Sequence, residues 1–324
     1  MEDGISKKER RKALIFNFAP VIGLVVLFCV FMAFAIAKGI NIPYSFKNIM
    51  NQSMVVIVVA TGAIFIYTLG AFDISLGASM CVSALIGAMV YGRTQSVLAM
   101  FVTCVLVAVL ISLISSLLAS VFHLPVFVTT IAMLSLLNAL VLTLIGINGT
   151  GDIIQVPAAA VKALNKMPFK LMIVILYIAL CVFVFSFMKL GRKEKFLGGN
   201  PVCAKLTGLN GSRLSIIAFA LAGLGVGLGA FLTIVYAPTL SRNTASSVGM
   251  DVIIAIVFGG MPVSGGARSK IYSAIVGALS MTLLNQIMLM LNFNSGIGQM
   301  VKAVIFLLVV FISMSDGRKR LLPR

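Results

Sequence analysis

Ten apolar runs fill this chain almost from end to end, near 13–37, 49–69, 74–92, 96–120, 126–146, 170–190, 214–236, 252–264, 270–291 and 297–315. A helix needs about 20 apolar residues to cross the hydrocarbon core of a bilayer. Most of these runs meet that length, and ten crossings return the chain to the side on which it began. The run at 252–264 is short and interrupted by Gly259, Gly260 and Pro262, so it reads as a half-helix or re-entrant segment. Gly70 and Gly77 break the helical pattern in the same way over 70–79. The expectation is an all-α integral membrane protein with about ten transmembrane helices. One transmembrane domain would cover 13–315, with a basic segment over 1–12 before it and a basic tail over 316–324 behind it.

Composition agrees. Of the 324 residues 60% are hydrophobic and 10% charged, against about 25% charged in soluble domains; mean hydropathy is +1.14. The net charge of +17 would suit nucleic acid, but its placement argues against that partner. Lys7, Lys8, Arg10, Arg11 and Lys12 precede the first run. Lys189, Arg192, Lys193 and Lys195 follow the sixth, and Arg318, Lys319, Arg320 and Arg324 close the chain. Lysine and arginine gather in cytoplasmic loops and set orientation. Both termini and the loop 191–213 are therefore expected inside, and 147–169 outside, with some added attraction of the basic clusters to anionic lipid. Within the outer loop, the stretch PAAAVKAL reads as a short surface helix. The N-terminus resembles a signal peptide, but its apolar run of 25 residues exceeds the roughly 7–15 of such a segment, so an uncleaved first span is expected.

The segment GRKEKFLGGNPVCAKLTGLNGSR over 191–213 is the one long polar stretch in the middle of the chain. A Gly-Gly-Asn-Pro turn opens it, Val202 to Leu209 read as a short helix, and Asn210-Gly211 stop it. Such a loop reads as a handle gripped from outside the bilayer. Ala204 and Gly208, four apart, would share one face of the helix, their small side chains letting it sit deep in a partner's groove.

Little else carries chemistry. The five cysteines, Cys29, Cys81, Cys104, Cys181 and Cys203, form no Cys-x-x-Cys pair, so neither a metal site nor a disulfide framework is indicated. His123 is the single histidine and belongs to a short loop before Pro125. No phosphate-binding Gly-x-x-x-x-Gly-Lys-Ser/Thr motif and no Gly-x-Ser-x-Gly nucleophile motif occurs. Asp73 and Asp251 lie beside spans, where an ionisable group is a functional candidate by default; each also reads as an N-cap, Asp73 for a helix starting at Ile74. Asn51, Gln52, Thr61, Asn138, Thr143, Thr282, Asn285 and Gln286 are polar within runs. Such groups glue helices together or bind a neutral polar solute. Asp73, Ser75, Asn138 and Asn285 are the candidates to line a solute pathway. Intramembrane charge is otherwise nearly absent, which argues against proton or sodium coupling. SALIGAM at 83–89 echoes SAIVGAL at 273–279, a match that chance also supplies in so biased a chain.

Four stretches carry a family resemblance: GAFDISLGAS at 70–79, LPVFVTTIAMLSLLNAL at 124–140, FLGGNPVCAKLTGLN at 196–210 and GMDVIIAIVFGGMPVSGGARSKIYSAIVGAL at 249–279. In that order they resemble the permease subunits of bacterial ABC importers for monosaccharides of the ribose, galactose and xylose type, over about residues 15–315. The chain departs from the family at Ala71, where a second glycine is usual, and at Val202-Cys203-Ala204 in the coupling segment. The resemblance implies a multi-pass protein of the bacterial cytoplasmic membrane, paired with a second permease copy around a central pathway. It implies cytoplasmic ATPase subunits that hold ATP and magnesium, so that no cofactor sits on this chain, and an extracytoplasmic binding protein that delivers the solute. Gly199, Asn200, Pro201, Ala204, Lys205 and Gly208 would form the ATPase-coupling segment. The competing readings are a related permease for a nucleoside, a polyol or a furanone-type signal, an ATP-independent carrier or channel, and an intramembrane enzyme.

Overall fold

The computed structural model describes residues 7–148, 152–262 and 264–318, with side chains over 18–147, 152–262, 264–294 and 296–311. Thirteen helices occur among these residues. Eight contain a stretch long and apolar enough to cross a membrane: α1 (Lys7–Ala37), α2 (Ile42–Thr68), α3 (Leu76–Thr94), α4 (Val97–Val121), α5 (Val126–Asn148), α7 (Met167–Val182, continued by a π-helical turn over Phe183–Phe187), α10 (Gly211–Tyr236) and α12 (Tyr272–Met290). Two more apolar helices are α11 (Val248–Phe258), a half-length segment, and α13 (Ser295–Arg318). Each of the ten expected runs thus has its helix, displaced by a few residues at most ends. The remaining helices are short and lie between spans: α6 (Ala158–Val161), α8 (Lys189–Gly199) and α9 (Pro201–Leu206). The side chains of Asp316 and of both terminal basic clusters, and the whole of Gly149, lie outside the described residues.

The centre of the bundle is α2, buried over most of its length, with α10 antiparallel beside it. Four alternate glycines on α10 make the close packing possible. Gly223 and Gly227 face α4, where a Cβ would come within 2.8 Å of Val109 Cα and 2.5 Å of Val105 Cα. Gly225 and Gly229 face α2, at 2.9 Å from the Val58 carbonyl and 2.7 Å from Val59 Cγ2. In lipid no hydrophobic force drives helices together, so small residues that let backbones approach supply the contact through dispersion. Tyr177 on α7 donates a 2.7 Å hydrogen bond to the Leu221 carbonyl between these helices.

At one end of the bundle two three-residue strands, β1 (Ile153–Gln155) and β2 (Thr239–Ser241), pair antiparallel. They tie the link before α6 to the link after α10, an addition to the expected all-α architecture. The short surface helix expected in PAAAVKAL is α6. Also at this end Lys38 donates to the Met290 carbonyl at 2.5 Å, joining the C-termini of α1 and α12. At the opposite end α8 lies against the C-terminus of α2 and the 3-10 turn Gly266–Arg268, and α9 packs on α8.

Breaks in α2–α3 and after α11 are built alike. Leu69 ends α2, Gly70 takes φ +77, and the Gly70 and Ala71 amides donate to Tyr67 and Ile66 carbonyls at 3.0 and 3.4 Å. Gly259 ends α11, Gly260 takes φ +88, and Gly260 and Met261 donate to Val257 and Ile256 at 3.0 and 3.2 Å. Both are Schellman stops, in which a left-handed glycine lets the chain double back onto its last carbonyls. The two echoing heptapeptides do not share this symmetry: Ser83 lies deep in α3, whereas Ser273 is the second residue of α12.

Candidate functional site

The loop over 191–213 contains more structure than a turn and one short helix. Residues 189–199 form α8, which lies tightly on the bundle. A Cβ at Gly198 would overlap the carbonyl oxygen of Thr68 at the end of α2, and one at Gly191 would overlap that of Phe185. Lys195 Nζ lies 4.3 Å from the Phe185 ring centroid, a cation–π contact. Asn200 then caps α9, its side chain accepting from the Cys203 amide at 3.0 Å with Pro201 in the first turn. This matches the expected Gly199-Asn200-Pro201 turn.

The expected face of α9 is corrected. Ala204 is fully buried against its own chain and presents nothing to a partner. Gly208 lies beyond the helix, which ends at Leu206. It is the left-handed residue of a third Schellman stop, at φ +77, with Gly208 and Leu209 amides donating to Lys205 and Ala204 carbonyls at 3.1 Å each. A side chain there strains the turn whatever docks on it. The outward face carries Val202 and Leu206, 71% and 83% exposed, four residues apart, with Lys205 and Cys203 also exposed. Open grooves border this surface, one lined by Arg192, Lys195, Phe196, Gly199, Asn200 and Ala267, the other by Pro201, Val202, Lys205 and Leu206. An apolar ridge flanked by lysine and arginine suits a protein partner with an apolar cleft and an acidic rim.

Inside α8, Glu194 is fully buried, and neither carboxylate oxygen has a hydrogen-bond partner among the described residues. Burial disfavours its charged form and pushes its pKa up to about 8. The folded value lies above the unfolded one, so the unfolded chain releases this proton first as pH rises. The stability tied to Glu194 is present below about pH 4.5 and is lost progressively as pH rises to about 8. Glu194→Gln is expected to flatten that decline, with a higher melting temperature than wild type at pH 8 and a smaller gain at pH 5. Thermal unfolding at both values checks it.

Asp73 is buried before α3, and its Oδ1 accepts from the Ser75 amide at 2.8 Å and the Ser75 hydroxyl at 2.7 Å. It does not cap a helix starting at Ile74. The helix starts at Leu76 with Ser75 as N-cap, and Asp73 holds that residue in place. Thr130 on α5 donates to the Phe72 carbonyl at 3.4 Å, fixing the same turn. Asp251 is not an N-cap either. Ser247 takes that position, and Asp251 lies in the first turn of α11. Its carboxylate pairs with Lys302 of α13 at 2.6 Å and accepts from Asn285 Nδ2 and the Ser247 hydroxyl at 3.1 Å each. Lys302 is 51 positions from Asp251, and nothing local in the sequence relates them, whereas Ser247, four positions before Asp251, carries the i, i+4 spacing that could have revealed it.

The candidate pathway residues therefore divide. Asp73 and Ser75 share the turn before α3, and Asn285 joins Asp251 at α11. The two regions touch where a Cβ at Gly77 would meet the Ala245 carbonyl at 2.6 Å and the Gly249 nitrogen at 2.9 Å. Asn138 is not brought to them; it is exposed on the outer side of α5. Asn51 serves structure, accepting from the buried Lys170 ammonium, which also donates to Asn165 at 2.9 Å. His123 is exposed between α4 and α5, as expected of a loop residue.

A bundle of ten apolar helices with two glycine-stopped breaks, and a basic platform at one end, is the architecture of a polytopic membrane protein. Residues 45–313 match the family described as branched-chain amino acid transport system / permease component, and the chain belongs to that family. It is 24% identical to the ribose import permease RbsC of Escherichia coli strain K12 over 84% of this chain and 85% of that one. It is 27% identical to the ribose import permease RbsC of Bacillus subtilis strain 168 over 91% and 92%. Identity to the galactose/methyl galactoside import permease MglC of Haemophilus influenzae is 24% over 85% and 88%. No solved structure matches it.

Proposed function

We propose that the chain is the membrane-embedded subunit of an ATP-driven, binding-protein-dependent importer for a monosaccharide such as ribose. The observation that carries this reading is the likeness to ribose and galactoside import permeases along more than four fifths of the chain. The family description names branched-chain amino acids, but these full-length relatives are named for sugars. Of the polar groups beside the two breaks, the Asn285 amide oxygen has no partner among the described residues, and it suits a hydroxyl-rich solute better than an aliphatic one, because a polar group needs a hydrogen-bond partner when dry.

In this reading α8 and α9 face the cytoplasm and receive the ATPase, which holds ATP and magnesium, so the chain itself needs no cofactor and is not an enzyme. The binding protein meets the end carrying β1 and β2, and a second permease copy completes the pathway. Asn138, exposed within a span, is then covered by that copy or by lipid. The domain from 13 to 315 lies in the cytoplasmic membrane of a bacterium, both termini inside.

Orientation is checked with thiols. In intact cells expressing a variant that retains Cys203 alone, an impermeant maleimide is expected to leave the chain unlabelled until the membrane is opened. Lys162→Cys in a cysteine-free background is expected to label at once. The test of the assembly is purification from the native membrane in mild detergent, from which an ATPase subunit and a sugar-binding protein are expected to accompany the chain. Isolation with neither, under conditions that preserve comparable complexes, would leave an ATP-independent carrier as the better reading.

A further inference from the structure

Helix α11 is only 11 residues long, about 16 Å at 1.5 Å per residue, against the roughly 30 Å of a bilayer's hydrocarbon core. Gly249 in its first turn presses on the turn before α3, where a Cβ would lie 2.7 Å from the Ile74 carbonyl. Its other end closes on α12, where a Cβ at Gly277 would overlap the Ala255 carbonyl. It also packs on α2, and its remaining neighbour, α13, is largely exposed, with Met300, Leu307 and Phe311 at 70%, 66% and 73%. Among the described residues of α13, Lys302 makes the one side-chain hydrogen bond to another element. Lys302 and Asp251 are 12% and 4% exposed, and Asn285 completes the cluster with an amide oxygen that has no partner among the described residues. A charge pair this dry persists only while both members are present.

We infer that Lys302 is a positioning residue of the transport cycle: through Asp251 it locks the half-helix α11 to α13, so that the inner turn and the last helix move as one body. The inference rests on the reading of the chain as an importer subunit. The pair does more than satisfy charge. It joins the one half-length apolar helix, which abuts the Asp73 turn through Gly77 and Gly249, to a helix with little other hold on the bundle. A movement of α13 is thereby passed to the wall beside the candidate pathway. A merely structural pair would be replaceable by two neutral residues, whereas a mechanical link would not.

The test uses the assembled importer in proteoliposomes, with radiolabelled ribose uptake, thermal unfolding, and hydrogen exchange of the 248–258 peptide as readouts. Lys302→Met strands the carboxylate and is expected to lower uptake roughly tenfold or more and to speed exchange across α11. Lys302→Arg keeps the pair and is expected to retain most uptake and wild-type exchange. The double variant Asp251→Asn with Lys302→Met, which leaves no charge, is expected to recover thermal stability but not uptake. Wild-type uptake by the double variant, or unchanged uptake and exchange in Lys302→Met, overturns the inference. If the double variant fails to insert, Lys302→Arg decides, because a loss equal to that of Lys302→Met also overturns it. A wild-type importer that takes up no ribose counts against the sugar reading, and the exchange measurement then decides the link alone.

Discussion

Leu206→Glu is expected to abolish uptake while leaving the permease folded and inserted. Leu206 is 83% exposed at the end of α9, and exposed substitutions of this kind usually shift stability by about 0.5 kcal/mol or less. Docking responds differently. Val202 and Leu206 form the apolar ridge of the platform, and a central apolar anchor typically contributes about 2 kcal/mol or more to a protein contact, or about thirtyfold in affinity. A carboxylate at 206 removes that anchor and introduces a charge that finds no pairing in an apolar cleft. Co-purification of the ATPase, uptake and thermal unfolding read the three consequences separately. Full docking by Leu206→Glu would remove α9 from the coupling surface. Gly208→Glu does not test the point as well, since its left-handed backbone would be strained before any partner arrived.

Gly198→Ala is expected to break coupling from the other side of the platform. Its Cβ would overlap the Thr68 carbonyl and lie 3.1 Å from the Gly266 nitrogen, both of them backbone atoms that cannot rotate aside. Helix α8 must then lift from the end of α2. Overpacking of this kind costs about 1–3 kcal/mol, enough to reduce the seated population about tenfold. Uptake should fall accordingly, and the ATPase should still bind through Val202 and Leu206, giving hydrolysis without transport. Measuring ATP hydrolysis and solute uptake on the same preparation separates this outcome from a simple loss of docking. Equal, undiminished values for both would mean that α8 does not transmit movement to α2.

The spans were legible because bilayer thickness imposes a length that composition alone reveals, and the glycine-rich breaks at 70 and 259–260 announced the two Schellman stops. The pairing of β1 with β2 was not, since three residues per strand carry no periodicity. Helix α8 was hidden for a related reason. GRKEKFLGG is basic and ends in glycines, and what holds it is contact of Gly191 with the Phe185 backbone just before it and of Gly198 with the Thr68 backbone, far away in sequence. Spacing places Val202, Ala204 and Leu206 around α9 but does not say which side the bundle covers, so the burial of Ala204 is not readable from it. The same distance in sequence concealed Lys302 as the partner of Asp251. Asp73 was visible as an acid beside a glycine break, but its bond to Ser75, rather than to a free helix end, depends on where the turn finishes.

The account's central claim is that this permease couples ATP hydrolysis on a partner to the inward movement of a monosaccharide. It is tested most directly by reconstituting the chain with its co-purified ATPase and binding protein, and measuring uptake of radiolabelled ribose, galactose, xylose and leucine with and without ATP on the ATPase side. The account predicts accumulation of at least one of the three sugars above its outside concentration, strictly dependent on ATP, and no accumulation of leucine. Sugar that merely equilibrates without ATP, or ATP-driven accumulation of leucine alone, would contradict it.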